Sequence, residues 1–176
     1  MLRTAVISLT AATLVVAGQT LAADPTRDTL FAEAETAKTA AVEAGAETLA
    51  PEGFETGTER LDRAADDYER GRSLDRIRSG LVEATSLFRA AETAAGNADN
   101  DLSGLIEARQ AAVAAQAQTL DSDRWRSAEK GFRQSAIYLE RGYRDEGLEV
   151  AEAATEDYRN AELTAIKAGL LQDTRV

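Results

Sequence analysis

Small and apolar residues recur along this chain at alternating spacings of three and four positions. The clearest run is Leu30, Ala34, Ala37, Ala41 and Ala44. Residues at that spacing lie on one face of an α-helix, and the spacing is typical of helices packed nearly parallel or antiparallel. No alternation of β-branched residues lasts four positions after residue 24, so the strand pattern is missing. The pattern therefore predicts an all-α fold.

Prolines and helix breakers divide this pattern into six predicted helices. The first two cover residues 25–48 and 51–70, and each begins with a proline, which is favoured in the first turn of a helix. The third begins after Ser73 and ends before a polar loop at 96–101. The fourth follows that loop, the fifth begins after Ser122, and Gly142 separates the fifth from the sixth.

The predicted helices are related by an internal repeat. When the sequence is aligned with itself so that Ala37 falls on Ala108, the first two helices overlay the fourth and fifth without a gap. In this overlay 69–71 matches 140–142 (Glu-Arg-Gly in both) and Phe54 matches Trp125, and past residue 71 one deletion pairs Phe88 with Tyr158. Self-similarity at a long period is typical of repeat architectures. We therefore predict two tandem three-helix repeats, residues 23–95 and 102–176, packed as an antiparallel helical bundle or a short solenoid.

Alanine lines most of the predicted helix faces, and this limits the apolar area that each residue can bury. Since large apolar side chains are few, we expect them to anchor the core. They are Phe31, Phe54, Phe88, Trp125, Phe132, Tyr138 and Tyr158.

The N-terminal segment, 1–22, has the layout of a cleavable signal peptide. Arg3 precedes an uncharged, mostly aliphatic run at 5–18, and small residues around Ala22 offer a cleavage site. The sequence thus predicts export to the periplasm with cleavage after Ala22. Because the chain has no cysteine to carry a lipid, the expected product is not a lipoprotein. No second long apolar run follows, so no integral membrane span is expected after cleavage.

The charged composition removes most classes of catalytic site. The 176 residues include 20 Lys plus Arg and 31 Asp plus Glu, with no His and no Cys, and the net charge is −11. This excludes disulfides, thiolate nucleophiles, histidine bases and Cys/His metal sites. The acidic balance also disfavours nucleic acid as a partner. We therefore predict no catalytic residue, no cofactor and no metal site, and expect a protein that is not an enzyme.

Two Glu-Arg-Gly segments form the candidate interaction surface. Glu69, Arg70, Glu140 and Arg141 recur at the same place in the two predicted repeats, which suits a repeated docking surface. The same pattern suits a helix C-terminus, where glycine adopts a left-handed conformation and arginine complements the helix dipole. The helix C-terminus is the favoured interpretation, and the docking surface is the alternative.

The predicted loop carries a weaker pattern. Asn97, Asp99 and Asp101 resemble the start of an EF-hand calcium loop. Such a loop needs glycine at its sixth position and glutamate at its twelfth, where this chain has Leu102 and Ala108. A polar connector between the repeats is the favoured interpretation.

A short segment of the first repeat is similar to a known pattern. Residues 49–54 (Leu-Ala-Pro-Glu-Gly-Phe), followed by Leu61, Ala65 and Tyr68, resemble an Ala-rich helical domain of unknown function from bacterial envelope proteins. That domain often stands behind a signal peptide and ahead of an OmpA-like peptidoglycan-binding domain, which this sequence does not include. The resemblance implies an envelope location and implies no catalytic residue. Any association with peptidoglycan is implied by the resemblance alone.

These features predict a non-enzymatic interaction or scaffold module of the cell envelope, with another envelope protein as its partner. The alternative is a periplasmic binding protein for a small cationic or apolar ligand. Such a ligand would occupy a groove between the two repeats, where acidic side chains favour a cation.

Overall fold

In the computed structural model, residues 25–173 are described, and they form eight α-helices with no strand among them. The helices are α1 (Pro25–Glu43), α2 (Ala46–Leu49), α3 (Pro51–Glu69), α4 (Leu74–Asp101), α5 (Ser103–Ala114), α6 (Ala117–Leu120), α7 (Ser122–Glu140) and α8 (Arg144–Asp173). The all-α prediction is confirmed. The predicted signal peptide lies outside the described residues. Within the described range, no helix is both long and apolar enough to cross a membrane.

Two of the six predicted helices are each broken once. Gly45 takes φ 75° between α1 and α2, and Gln116 takes φ 60° between α5 and α6. Glycine adopts this left-handed conformation freely, whereas another residue does so at a cost of about 1–2 kcal/mol. The prediction of unbroken helices at these two places is wrong, because a lone glycine or glutamine in an Ala-rich run carries no clear stop signal.

The predicted loop at 96–101 is also wrong, because these residues form the last turns of the 28-residue helix α4. Ala95, Ala98 and Leu102 continue the buried face at spacings of three and four. Asn97 and Asn100 are polar but exposed, so they do not interrupt packing. The amide of Leu102 donates to the carbonyl of Ala98 at 2.8 Å, and α5 follows almost without a break. A helical segment of this kind also rules against the calcium-loop geometry.

Two helical hairpins, α3 with α4 and α7 with α8, form the framework of the fold. Gly71 (φ 62°) and Gly142 (φ 83°) turn the chain between the helices of each hairpin. Helix α1 lies against α4, and α5 lies against α8. Helix α7 also contacts α2, α3 and α4, and thereby joins the second half of the described chain to the first.

Alanine dominates the buried faces, as expected from the sequence. Five of the seven proposed anchors are buried, and the other two, Trp125 and Tyr138, are half-buried. The helices approach each other closely where a glycine replaces a side chain. A Cβ atom placed on Gly131 of α7 would lie 2.8 Å from the Cβ of Ala154 of α8, which is closer than real Cβ atoms come.

We expect Gly131→Ala to lower the free energy of unfolding by about 1–3 kcal/mol. The added methyl group and the Cβ of Ala154 are both bonded directly to the backbone, so neither can move aside without shifting a helix. Gly96→Ala in α4 is the matched control, since a Cβ there meets nothing within 4 Å. Alanine is the better helix former by about 1 kcal/mol, so the control should be neutral or stabilising. Urea unfolding followed by circular dichroism measures both. Equal stability of the two variants would contradict the close contact of α7 with α8.

Candidate functional site

The two Glu-Arg-Gly segments end α3 and α7, and each glycine closes its helix in the left-handed conformation. The helix C-terminus interpretation therefore holds for both glycines. The side chains before them differ in their surroundings. Glu140 and Arg141 reach the N-terminal end of α3, whereas Glu69 and Arg70 are exposed. The structure does not bring the four residues together at one site.

The carboxylate of Glu140 caps helix α3. The backbone amide of Glu52 donates to Glu140 Oε2 at 3.0 Å, and the amide of Gly53 donates to Oε1 at 2.6 Å. The first amides of a helix lack partners within the helix, and a negative charge there is favourable. The residue before α3 is Ala50, which offers no side-chain acceptor. Glu140 supplies this acceptor from another helix.

Glycine at position 53 makes this approach feasible. A Cβ atom there would lie 2.7 Å from Glu140 Oε1, so a larger residue would push the carboxylate away. The sequence analysis missed this role. The available signal was the Ala-Pro-Glu-Gly start of a helix without Ser, Thr, Asp or Asn as its cap.

Ion pairs surround the capped end of α3. Arg141 binds both carboxylate oxygens of Glu52, with its Nε 2.8 Å from Oε2. The hydrogen bond from Arg141 lowers the pKa of the Glu52 carboxyl, and the same bond raises the pKa of Arg141. We call the contacts at this end the central junction. It includes the cap of Glu140 on the amides of Glu52 and Gly53, and the ion pair of Arg141 with Glu52. It also includes the ion pairs of Arg133 with Glu55 (2.7 Å) and of Arg144 with both oxygens of Asp101 (2.7 and 3.0 Å).

The Glu-Arg-Gly motif at the C-terminal end of α3 makes no such contact with another helix among the described residues, although the nearby Asp67 pairs with Arg76 of α4 at 2.6 Å. Glu69 is exposed, and Arg70 forms a long ion pair of 3.4 Å with Asp66 on its own helix. Pairs of this kind on an exposed helix surface contribute about 0.3–0.5 kcal/mol. The same motif is therefore engaged at the end of α7 and exposed at the end of α3.

A second polar cluster lies inside the second half of the fold. Tyr158 is fully buried, and its hydroxyl donates to Glu129 Oε1 at 2.7 Å. Arg109 Nε donates to the same oxygen at 2.6 Å, and its guanidinium lies 5.6 Å from the ring centre of Trp125. Burial, followed by the hydrogen bond to Glu129, raises the pKa of the Tyr158 hydroxyl. The hydroxyl donates to Glu129, and this cluster therefore joins α5, α7 and α8.

Arg109 and Glu129 were not among the residues singled out from the sequence. They stand 20 positions apart on different helices, and each is one charged residue among many. Only the aromatic residues of the cluster, Trp125 and Tyr158, could be expected there.

A groove between α4 and the turn from α7 to α8 has a volume of about 800 Å³. Its lining includes Asn97, Asn100 and Asp101 of α4 with Glu140 and Arg144. Its charged groups are already paired, because Asp101 binds Arg144 and Glu140 caps α3. Over residues 25–173, no group of three or more acidic side chains is arranged to hold a metal ion.

Comparison with known proteins gives no match to a family model, to a curated protein or to a solved structure. The resemblance to the Ala-rich envelope domain therefore stays a prediction.

Replacing Glu140 by alanine should lower the free energy of unfolding by about 1–2 kcal/mol, because two helix amides lose their acceptor. Glu69→Ala is the matched control, since the same motif residue is exposed at the end of α3. Its cost should stay within about 0.5 kcal/mol. Chemical unfolding of both variants is the measurement, and equal losses would contradict the capping role of Glu140.

The Glu52–Arg141 pair predicts a pH dependence. Because the folded pKa of Glu52 is lowered, the pair stabilises the fold above the unfolded pKa, and that contribution is lost as pH falls through the folded value. Arg141→Gln should therefore lower Tm at pH 7 and have a smaller effect below about pH 4. Arg70→Gln is the control and should change Tm little at either pH. A Tm difference for Arg141→Gln that is the same at both pH values would contradict this assignment.

Proposed function

We propose that this chain consists of two tandem helical units and serves as a non-enzymatic interaction or scaffold module of the bacterial periplasm. The proposed units are α1–α4 and α5–α8, each with three long helices and one helix of a single turn. In the overlay that places Ala37 on Ala108, α2 and α3 coincide with α6 and α7 at both of their ends. The last residue of α1 also falls on the last residue of α5. These matching bounds support the duplication.

The core contacts of the two proposed units also correspond. Phe54 packs against Phe88 with ring centres 5.6 Å apart, and Trp125 packs against Tyr158 at 5.2 Å. The sequence overlay pairs Phe54 with Trp125 and Phe88 with Tyr158. One aromatic pair therefore joins the third and fourth helices of each unit.

The exposed Glu-Arg-Gly end of α3 is the observation that carries the functional proposal. Within the chain, the same motif at the end of α7 docks onto another helix by capping and by an ion pair. At the end of α3 the Glu and Arg side chains face solvent. The Glu-Arg-Gly motif is thus bound to another helix at the end of α7 and exposed at the end of α3. The exposed copy is available to bind a partner, which favours an interaction module.

The chemistry of the described residues favours binding over catalysis. The groups with shifted pKa values are held in ion pairs or in the Tyr158–Glu129 hydrogen bond. The groove of about 800 Å³ favours the alternative of a small ligand, yet its charges are balanced within the chain. We therefore place ligand binding second.

Site-specific photo-crosslinking in the native bacterium tests the proposal. A photoreactive residue at Glu69 should give a discrete adduct in the periplasmic fraction. The same residue at Val82, which is 69% exposed on α4, is the control and should give none. Absence of the chain from the periplasm, no adduct at either position, or the same adducts at both would contradict the proposal.

A further inference from the structure

The central junction joins two different surfaces of the proposed units. The second unit contributes the end of α7 and the start of α8, and the first contributes the start of α3 and the end of α4. A contact of this head-to-tail type leaves one copy of each surface unused. The unused head is the end of α3 with the start of α4. The unused tail is the start of α7 with the end of α8.

We propose that the head of one copy of this chain binds the tail of a second copy, with the geometry of the central junction. This inference rests on the proposed duplication. The sequence overlay gives, for each of three ion pairs of the central junction, the corresponding position on the head and on the tail. The two residues at each such pair of positions are chemically complementary.

The first pair exchanges its charges. Arg133 with Glu55 in the central junction corresponds, in the sequence overlay, to Asp62 on the head and Arg126 on the tail. The acidic and basic partners have changed places, and both residues are exposed, with Arg126 also paired to Asp123 of its own helix. Two independent substitutions would leave like charges as readily as opposite ones, so the exchange favours contact between these positions.

The second pair keeps its charges. Arg141 with Glu52 corresponds to Arg70 on the head and Asp123 on the tail. In the same overlay Glu69 corresponds to Glu140, and the first amides of α7 correspond to those of α3. Helix α7 has no side-chain cap of its own in the described structure.

The third pair becomes apolar on both sides. Past residue 71 the overlay includes the deletion, so Arg144 with Asp101 corresponds to Leu74 on the head and Leu171 on the tail. Leu74 is 46% exposed and Leu171 is 63% exposed. Leu170 beside it, 62% exposed, takes the place of the polar Asn100. An ion pair has been replaced by leucines on both surfaces at once.

One substitution weakens the proposed contact relative to the central junction. Arg124 stands on the tail where Gly53 lets the Glu140 carboxylate approach. The clash involves the flexible end of a glutamate, so Glu69 can shift and share the Arg124 guanidinium with Asp121, which binds it at 3.0 Å within the chain. We therefore expect the contact between two copies to be weaker than the central junction, so that association needs a high protein concentration. Because the contact is head-to-tail, further copies should add beyond the dimer unless the copies close into a ring.

The test is sedimentation velocity of the chain from Ala23 onward, over a wide concentration range in about 0.15 M salt, which screens the acidic chains beyond about 8 Å. The wild-type chain should self-associate. Asp62→Arg should weaken association about tenfold or more, because it places two arginines opposite each other. Arg126→Asp should do the same. The double variant Asp62→Arg with Arg126→Asp should restore association, since these two positions then carry opposite charges again.

Glu107→Arg on the exposed surface of α5 is the control for a general change of charge and should leave association close to that of the wild type. Circular dichroism of each variant checks that it is folded. This inference is overturned if the wild-type chain stays monomeric. It is also overturned if the single variants do not weaken association, or if the double variant does not restore it. If the chain is monomeric while Glu69 crosslinks to a different envelope protein, the proposed function stands and self-association is rejected.

Discussion

The close approach of helix backbones is the constraint on which the rest of this fold depends. Alanine buries little apolar area, so the core is stabilised only when small side chains let neighbouring helices come near each other. A Cβ atom on Gly57 would lie 2.9 Å from the ring of Phe88, and one on Gly131 would meet Ala154. Large side chains are few and are placed where two long helices face each other. The helices therefore have little freedom to slide, and their ends are held at defined positions.

Fixed helix ends explain why the contact between the two halves can be polar. Exposed ion pairs stabilise a fold only weakly, so those of the central junction select the geometry more than they stabilise it. The Glu140 carboxylate differs, because it satisfies two amides at a half-buried helix end. The central junction thus adds one cap and several weak pairs to an apolar core that runs through both halves.

Local patterns predicted most of the fold. Helix faces, proline starts and glycine turns depend on neighbours within a few positions, so the all-α architecture and the hairpin turns at Gly71 and Gly142 were accessible from the sequence. The break at Gln116 was not, because glutamine is an ordinary helix former that rarely adopts the left-handed conformation. The loop predicted at 96–101 was wrong because exposed polar residues were given more weight than the buried spacing of Ala95 and Ala98.

The site was less accessible for a related reason. The motif at Glu140 and Arg141 was found by its repetition, but its partner Glu52 stands 88 and 89 positions earlier, and local spacing carries no information about contacts across such a distance.

The proposed units differ most in how their aromatic pairs are held. Where the first unit packs the Phe88 ring over Gly57, the second has Tyr158, whose buried hydroxyl needs an acceptor. Glu129 supplies that acceptor and also binds Arg109, which lies over Trp125. The first unit has Thr58 and Lys38 at the corresponding positions, so several residues have changed together. Trp125 stands next to Arg126 at the start of α7. The hydrogen bonds of Glu129 and the contact of Arg109 with Trp125 therefore hold the start of α7, which is the surface that the proposed self-association would use.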